Sequence, residues 1–166
     1  MRTYKQFING ELVSRPGEGM IDVENPSSGQ IMAQVPDGGA EDAQAALEAA
    51  RAAQDAWAAL PAPTRATALK KLAEGIRGRR TELAAILAEE QAKTLPLAQV
   101  EVDFTAEYFD YYAGWARIYE GEIIQSDRPR ENILLYRQPI GVVAGICPWN
   151  FPLFVTARKV APSLLA

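Results

Sequence analysis

The chain has 166 residues, 48% of them apolar and 23% charged, with a formal net charge of −4. That size and composition describe an ordinary globular domain with a real core, not a disordered segment. The mildly acidic balance argues against a general nucleic-acid or membrane-surface binder, because both need clustered positive charge.

Phe7-Ile8-Asn9-Gly10-Glu11-Leu12-Val13 is a hairpin signal. Asn-Gly between apolar residues fits a type I′ turn, whose twist matches paired strands. Arg15-Pro16-Gly17 breaks the run. Met20 to Val23 is a second strand, Asn25-Pro26-Ser27-Ser28-Gly29 a turn, and Gln30 to Val35 a third strand. Residues 4–35 therefore predict a small antiparallel β arm.

From Ala40 the period becomes helical, with Ala43, Leu47, Ala50 and Trp57 on one face and Glu41 and Asp42 in the first turn. Pro61-Ala62-Pro63 closes that helix, and Thr64 suits the N-cap of the next. Its inner stripe is Leu69, Leu72, Ala73 and Ile76. After Gly78, Thr81 can cap a third helix carrying Leu83, Ile86 and Leu87. The basic run Arg77-Gly78-Arg79-Arg80 lies where cations complement a helix end, which outweighs a phosphate-binding reading. A fourth helix is predicted from Leu97 to Tyr119. Phe104, Tyr108, Tyr111, Trp115 and Ile118 form an aromatic stripe on it, read as core or helix packing before cofactor stacking.

Glu122 to Gln125 and Asn132 to Arg137 predict a hairpin. Ile140 to Ile146 is a continuous apolar run without alternation, the mark of a strand covered on both faces in a parallel sheet. Residues after Asn150 are helical in period. A parallel strand needs a neighbour reached by a crossover. None follows in the sequence, so the expectation is the N-terminal part of a larger α/β protein, or a sheet whose missing strands come from elsewhere.

No apolar run reaches the ~18 residues of a membrane span, and no signal-peptide apolar region follows Met1. One cysteine makes no intrachain disulfide, which suits a reducing cytoplasm. Histidine does not occur. Ser-His and Cys-His pairs are therefore excluded within these residues, and no metal centre is expected.

The most specific stretch is Gly141-Val142-Val143-Ala144-Gly145-Ile146-Cys147-Pro148-Trp149-Asn150-Phe151-Pro152. It places Asn150 between two aromatics and two prolines, where Trp149, Phe151 and Pro152 are expected to pin it. The Asn150 amide stays neutral and offers two donor hydrogens, so it suits an oxyanion donor; the same position suits a helix N-cap. Cys147 sits in an apolar run with no nearby cation or base in sequence. It reads as a small hydrophobe, not a nucleophile. Phe151, Phe154, Val155 and Arg158 follow at i, i+3, i+4 and i+7, one helical face. A guanidinium on such a face needs an acceptor. The choices are a structural salt bridge, a snorkelling surface charge, or a polar ligand.

Pro148-Trp149-Asn150-Phe151-Pro152 resembles the corresponding segment of the NAD(P)-dependent aldehyde dehydrogenase superfamily. Phe7 to Glu11, Asn25 to Gly29, Ala49 to Ala53 with Trp57, and the hairpin before Gly141 agree in order, so the resemblance covers essentially the whole chain. Tyr119 to Pro129 and Glu131 to Leu135 look closest to the lactaldehyde/glycolaldehyde branch.

The resemblance implies an α/β fold, the N-terminal part of an aldehyde dehydrogenase. Residues 1–120 would begin the cofactor-binding domain, with the β arm at 4–35 and helices at 40–119. Residues 121–139 would form an oligomerisation β-hairpin, and residues 140–166 the first strand and helix of a Rossmann-like sheet, truncated. The implied reaction is NAD-dependent, or NADP-dependent, oxidation of small hydroxyaldehydes to acids through a cysteine thiohemiacetal and thioester. Asn150 would be the catalytic oxyanion donor. Ile146, Cys147, Pro148 and Trp149 would form the cofactor wall, and Phe151, Phe154, Val155 and Arg158 would line the substrate tunnel. The nucleophile, the general base and the Gly-rich cofactor turn belong to downstream motifs, so residues 1–166 alone are expected to be inactive. A cytoplasmic homo-oligomer is implied, with no nucleic-acid or membrane partner. Alternatives are a non-catalytic helical interaction module, using the aromatic stripe, and part of a CoA-acylating semialdehyde dehydrogenase.

Overall fold

The computed structural model describes residues 1–15, 17 and 19–166. The predicted break at Arg15-Pro16-Gly17 includes Pro16, outside the described residues. Strands β2 (Gln6–Ile8) and β3 (Glu11–Val13) form the predicted hairpin. Asn9 and Gly10 between them both have positive φ, 54° and 79°, as a type I′ turn requires. A three-stranded sheet is built from β1 (Arg2–Thr3), β4 (Gly19–Asn25) and β5 (Gln30–Asp37), in the order β1-β5-β4. The β4–β5 pair is antiparallel as expected, but β1 runs parallel to β5. Within residues 4–35 both ladders are antiparallel, and the parallel strand β1 precedes them.

Helix α1 (Ala40–Ala58) opens with Asp42, whose carboxylate accepts from the Gly39 N–H at 2.8 Å. Its predicted apolar face is not core: Leu47 and Trp57 are half-buried, while Ala43 and Ala50 are exposed. Trp57 and Ala50 instead border an open apolar cleft of about 440 Å³ shared with Gly141 to Val143 and Leu164. Helix α2 (Ala62–Gly78) begins two residues before the expected Thr64 cap, with Pro61 at the N-cap. Pro63 then falls in the first turn, where its missing N–H removes no helical bond. Of its predicted stripe, Leu69 and Ala73 are buried and Ile76 packs against them, but Leu72 is 44% exposed.

Helix α3 (Arg80–Gln91) starts at Arg80 and not after a Thr81 cap. The Arg79–Glu82 pair, at i and i+3, closes that turn. The basic run is consumed by carboxylates: Arg77 meets Asp110, Arg79 meets Glu82, and Arg80 meets Asp103. The Arg80–Asp103 contact is bidentate, at 2.7 and 2.8 Å. These hydrogen bonds hold the Asp103 carboxyl below the usual carboxylate range. A depressed carboxyl pKa contributes stability above the unfolded value and loses it as pH falls through the folded value. Stability is therefore expected to drop as pH falls below roughly 4. Asp103→Asn should flatten part of that acid limb in urea titrations between pH 5 and pH 2; an unchanged limb would contradict the assignment.

Helix α4 (Leu95–Gly114) is shorter than predicted and passes into a 3-10 turn at Trp115–Arg117. Its buried face is not the aromatic stripe. Ala98, Glu101, Val102, Thr105, Ala106, Phe109 and Ala113 are buried, while Phe104, Tyr111 and Ile118 are more than half exposed. One core joins α2, α4 and α5 (Pro152–Leu165) through Ala66, Ala73, Ala106, Ala113, Ala157 and Ala161 with Leu69, Phe109 and Leu165. Small residues let the helix axes approach closely, and a row of large rings on the same face would hold them apart. Strands β6 (Glu122–Gln125) and β7 (Asn132–Leu135) form the expected hairpin, exposed along its length. Ile140 to Ile146 has no hydrogen-bonded partner among the described residues. Ile140 and Ile146 are each 90% exposed, against the expected two-sided burial. A parallel strand acquires its ladder only from a neighbouring strand, and among the described residues no strand pairs with this segment.

Candidate functional site

The segment from Cys147 to Phe151 leads into α5 and is built from below by the α3–α4 connection. Helix α3 ends on Ala92 in the left-handed region, φ 51°. That conformation carries a cost for any residue with a Cβ. It reverses the chain so that Gln91 and Lys93 both face the 149–151 turn. Gln91 Nε2 donates to the Trp149 carbonyl at 2.6 Å, and Lys93 Nζ donates to the Asn150 carbonyl at 3.1 Å. The Lys93 ammonium also lies 3.9 Å from the Phe151 ring centroid, a cation–π distance.

The second anchor is Glu101, whose side chain is fully buried on α4. One carboxylate oxygen accepts from Lys93 Nζ. The other accepts from the backbone N–H groups of Leu153 and Phe154, at 3.0 and 3.3 Å. These are the orphan donors of the first turn of α5, so a carboxylate from another helix supplies its cap. Phe151 occupies the N-cap backbone position. Asn150 lies one residue earlier and is exposed. The capping alternative for Asn150 is therefore taken by Glu101, and the Asn150 amide is left open to the surface.

At the far end of α5, Arg65 donates to the Leu165 carbonyl from Nε at 3.0 Å and from Nη2 at 2.8 Å. Trp57 Nε1 donates to the Leu164 carbonyl at 2.9 Å. An anion at the N-terminus and a cation at the C-terminus both match the helix dipole. Helix α5 is thus fixed at both ends by side chains distant in sequence.

The predicted site residues separate into groups. Phe151 does not share the α5 face, because it precedes the helix with φ −142° and ψ 62°. Phe154 does, and meets Phe104 and Tyr108 at ring distances of 6.2 and 5.6 Å. Part of the α4 stripe is thereby a wall facing α5. Val155 is half-buried and Arg158 exposed. The hydrogen bond to Tyr108 and burial push the Tyr112 phenol above its ordinary pKa, and the charge of Arg158 opposes that shift. Cys147 is half-buried with a free thiol. Trp149 is 83% exposed, so it does not hold Asn150 by packing as its position between prolines suggested. The backbone tethers from Gln91 and Lys93 do.

A family model described as "Aldehyde dehydrogenase family" matches residues 13–166. The chain belongs to the aldehyde dehydrogenase family. It is 54% identical over 162 residues to the lactaldehyde dehydrogenase of Escherichia coli, covering 98% of this chain and 34% of that protein. The crystal structure of the E. coli enzyme superposes with a TM-score of 0.94. Over 166 residues the chain is 38% identical to a 3,6-anhydro-alpha-L-galactose dehydrogenase of Vibrio, covering all of this chain and 35% of that one. A betaine aldehyde dehydrogenase variant from Staphylococcus aureus, solved with NAD+, is 34% identical with a TM-score of 0.90, over 97% of this chain and 32% of that one. The chain spans about a third of the length of the relatives it matches.

In this aldehyde dehydrogenase chain, sequence reading missed Lys93, Glu101 and Arg65. Glu101 had left a signal. It shares an inward stripe with Ala98, Val102 and Thr105, at i, i+3, i+4 and i+7 positions, and a lone carboxylate on such a stripe demands buried partners. Lys93 and Arg65 gave no comparable sign, being ordinary cations near helix starts. Among the described residues, no helix is long and apolar enough to cross a membrane.

Proposed function

We propose that residues 1–166 form the N-terminal portion of an NAD-dependent oxidoreductase, with NADP as the alternative cofactor. It converts small hydroxyaldehydes to carboxylic acids through a cysteine thiohemiacetal and thioester. Asn150 is the catalytic residue of this portion. Its side-chain amide donates to the carbonyl oxygen as that oxygen gains negative charge. The observation that carries this reading is the displacement of Asn150 from the capping role by Glu101. A rigid turn with an open amide is what oxyanion stabilisation requires.

Ile146, Cys147, Pro148 and Trp149 are the cofactor wall. The fit rests on Ile146 and Trp149, large apolar side chains that are almost wholly exposed and suited to cover a planar ring and its ribose. The bound dinucleotide supplies hydride acceptance. Phe151, Phe154 and Val155 line the substrate side, next to Phe104 and Tyr108. Arg158 binds a hydroxyl or carboxylate oxygen of the substrate or product. The β6–β7 hairpin, exposed at every strand residue, is the assembly element of a cytoplasmic homo-oligomer. Residues 1–166 as an isolated polypeptide are inactive.

Arg158→Leu tests the substrate assignment. In the full-length protein, kcat/KM for lactaldehyde and glycolaldehyde is expected to fall about 10-fold or more, as loss of a charged hydrogen bond of ~1.5–3 kcal/mol implies. Apolar aldehydes of similar size should lose little. Equal losses for both classes would remove the assignment.

A further inference from the structure

Asn150 is flanked by two peptide planes, and both are tethered. The Trp149 carbonyl, in the plane before Asn150, accepts from Gln91 Nε2. The Asn150 carbonyl, in the plane after it, accepts from Lys93 Nζ. Peptide units are rigid, so the dihedrals between two anchored planes are anchored too. Those dihedrals set the direction of the Asn150 Cα–Cβ bond. Glu101 completes the arrangement by holding Lys93 on one oxygen and the first N–H groups of α5 on the other. The Lys93 and Glu101 side chains are 7% and 0% exposed, so their ion pair is shielded from water, while the two carbonyl tethers lie at the exposed edge of the turn.

We propose that Gln91, Lys93 and Glu101 are positioning residues for catalysis, a cradle that aims the Asn150 amide at the reacting oxygen. None of the three touches the substrate itself. The cradle acts through the backbone, with Lys93 as its hub. This rests on the reading of Asn150 as the oxyanion donor.

The test is a double-mutant cycle in a full-length chimera, with these residues in place of the matched segment of the E. coli lactaldehyde dehydrogenase. Misaiming a catalytic group by about 1 Å costs on the order of 10²-fold in rate. Lys93→Met is therefore expected to lower kcat by roughly 10–100-fold, with KM for the cofactor within about twofold. In an Asn150→Ala background the same change should cost almost nothing further, because residues acting as a unit are not additive. Gln91→Ala removes one tether without burying a lone charge. It should show the same non-additivity with a smaller loss, and it serves as the variant should Lys93→Met fail to fold. Equal fold-losses in both backgrounds would overturn the cradle and leave a purely structural role. An unchanged kcat in Asn150→Ala alone would instead overturn the donor reading, so the two failures are distinguishable.

Discussion

Asn150→Ala in the full-length protein is expected to lower kcat by about 10²–10³-fold, equivalent to ~2.7–4 kcal/mol of lost transition-state stabilisation. The reason is differential. A neutral amide binds a ground-state carbonyl weakly and an oxyanion strongly, so its removal acts on kcat more than on KM. The Asn150 side chain is exposed and Glu101 caps α5, so the substitution leaves the helix start intact. Thermal stability should change little. Asn150→Asp should be at least as damaging, because it places an anion where negative charge develops. Steady-state kinetics with lactaldehyde would settle the point: a loss below about fivefold would be too small for an oxyanion donor. A large loss accompanied by a collapse in stability would instead identify Asn150 as structural.

Glu101→Leu is expected to destabilise the fold by about 3–5 kcal/mol, the magnitude for removing one member of a buried ion pair. Two effects combine. Lys93 is left with its ammonium buried and its carboxylate partner gone. The Leu153 and Phe154 N–H groups lose their acceptor at the start of α5, and an unsatisfied buried donor costs about 1–3 kcal/mol by itself. The double variant Glu101→Leu with Lys93→Met should recover much of the loss, since a buried pair replaced by apolar groups is often close to neutral. Urea unfolding of both variants measures this. A Glu101→Leu cost below about 1 kcal/mol would mean that water reaches Lys93 and that the pair behaves as a surface one.

The elements of this chain were legible because local chemistry decides them. Asn9-Gly10 fixed a hairpin, since positive φ at both positions is a backbone property of those residues. The prolines at 61 and 63 marked the break between α1 and α2, though not its side: Thr64 lost the cap to Pro61 because prolines are accepted in a first turn. The α4 stripe packs in part against α5, through Phe104 and Tyr108 on Phe154, but it is not the core face. Periodicity reports which residues align, and Phe104, Tyr108 and Tyr111 do align. It does not report which aligned row a neighbouring helix can approach, and there the alanines prevailed.

The site divides in the same way. Pro148-Trp149-Asn150-Phe151-Pro152 was recognisable as a stretch with a purpose, and its type identified the family. Its sequence suggests pinning by Trp149, Phe151 and Pro152, yet Trp149 stands in the open. The real restraints come from Gln91, Lys93 and Glu101, 52 to 58 positions along the chain from the groups they hold. The sequence by itself determined the hairpins, the helix period and the family motif, because each depends on residues within a few positions of one another. Only the tertiary structure decided which helix face is core, which residue caps α5, and what holds Asn150. Those outcomes depend on which buried charges and carbonyls meet across the fold, and no local pattern encodes such a meeting.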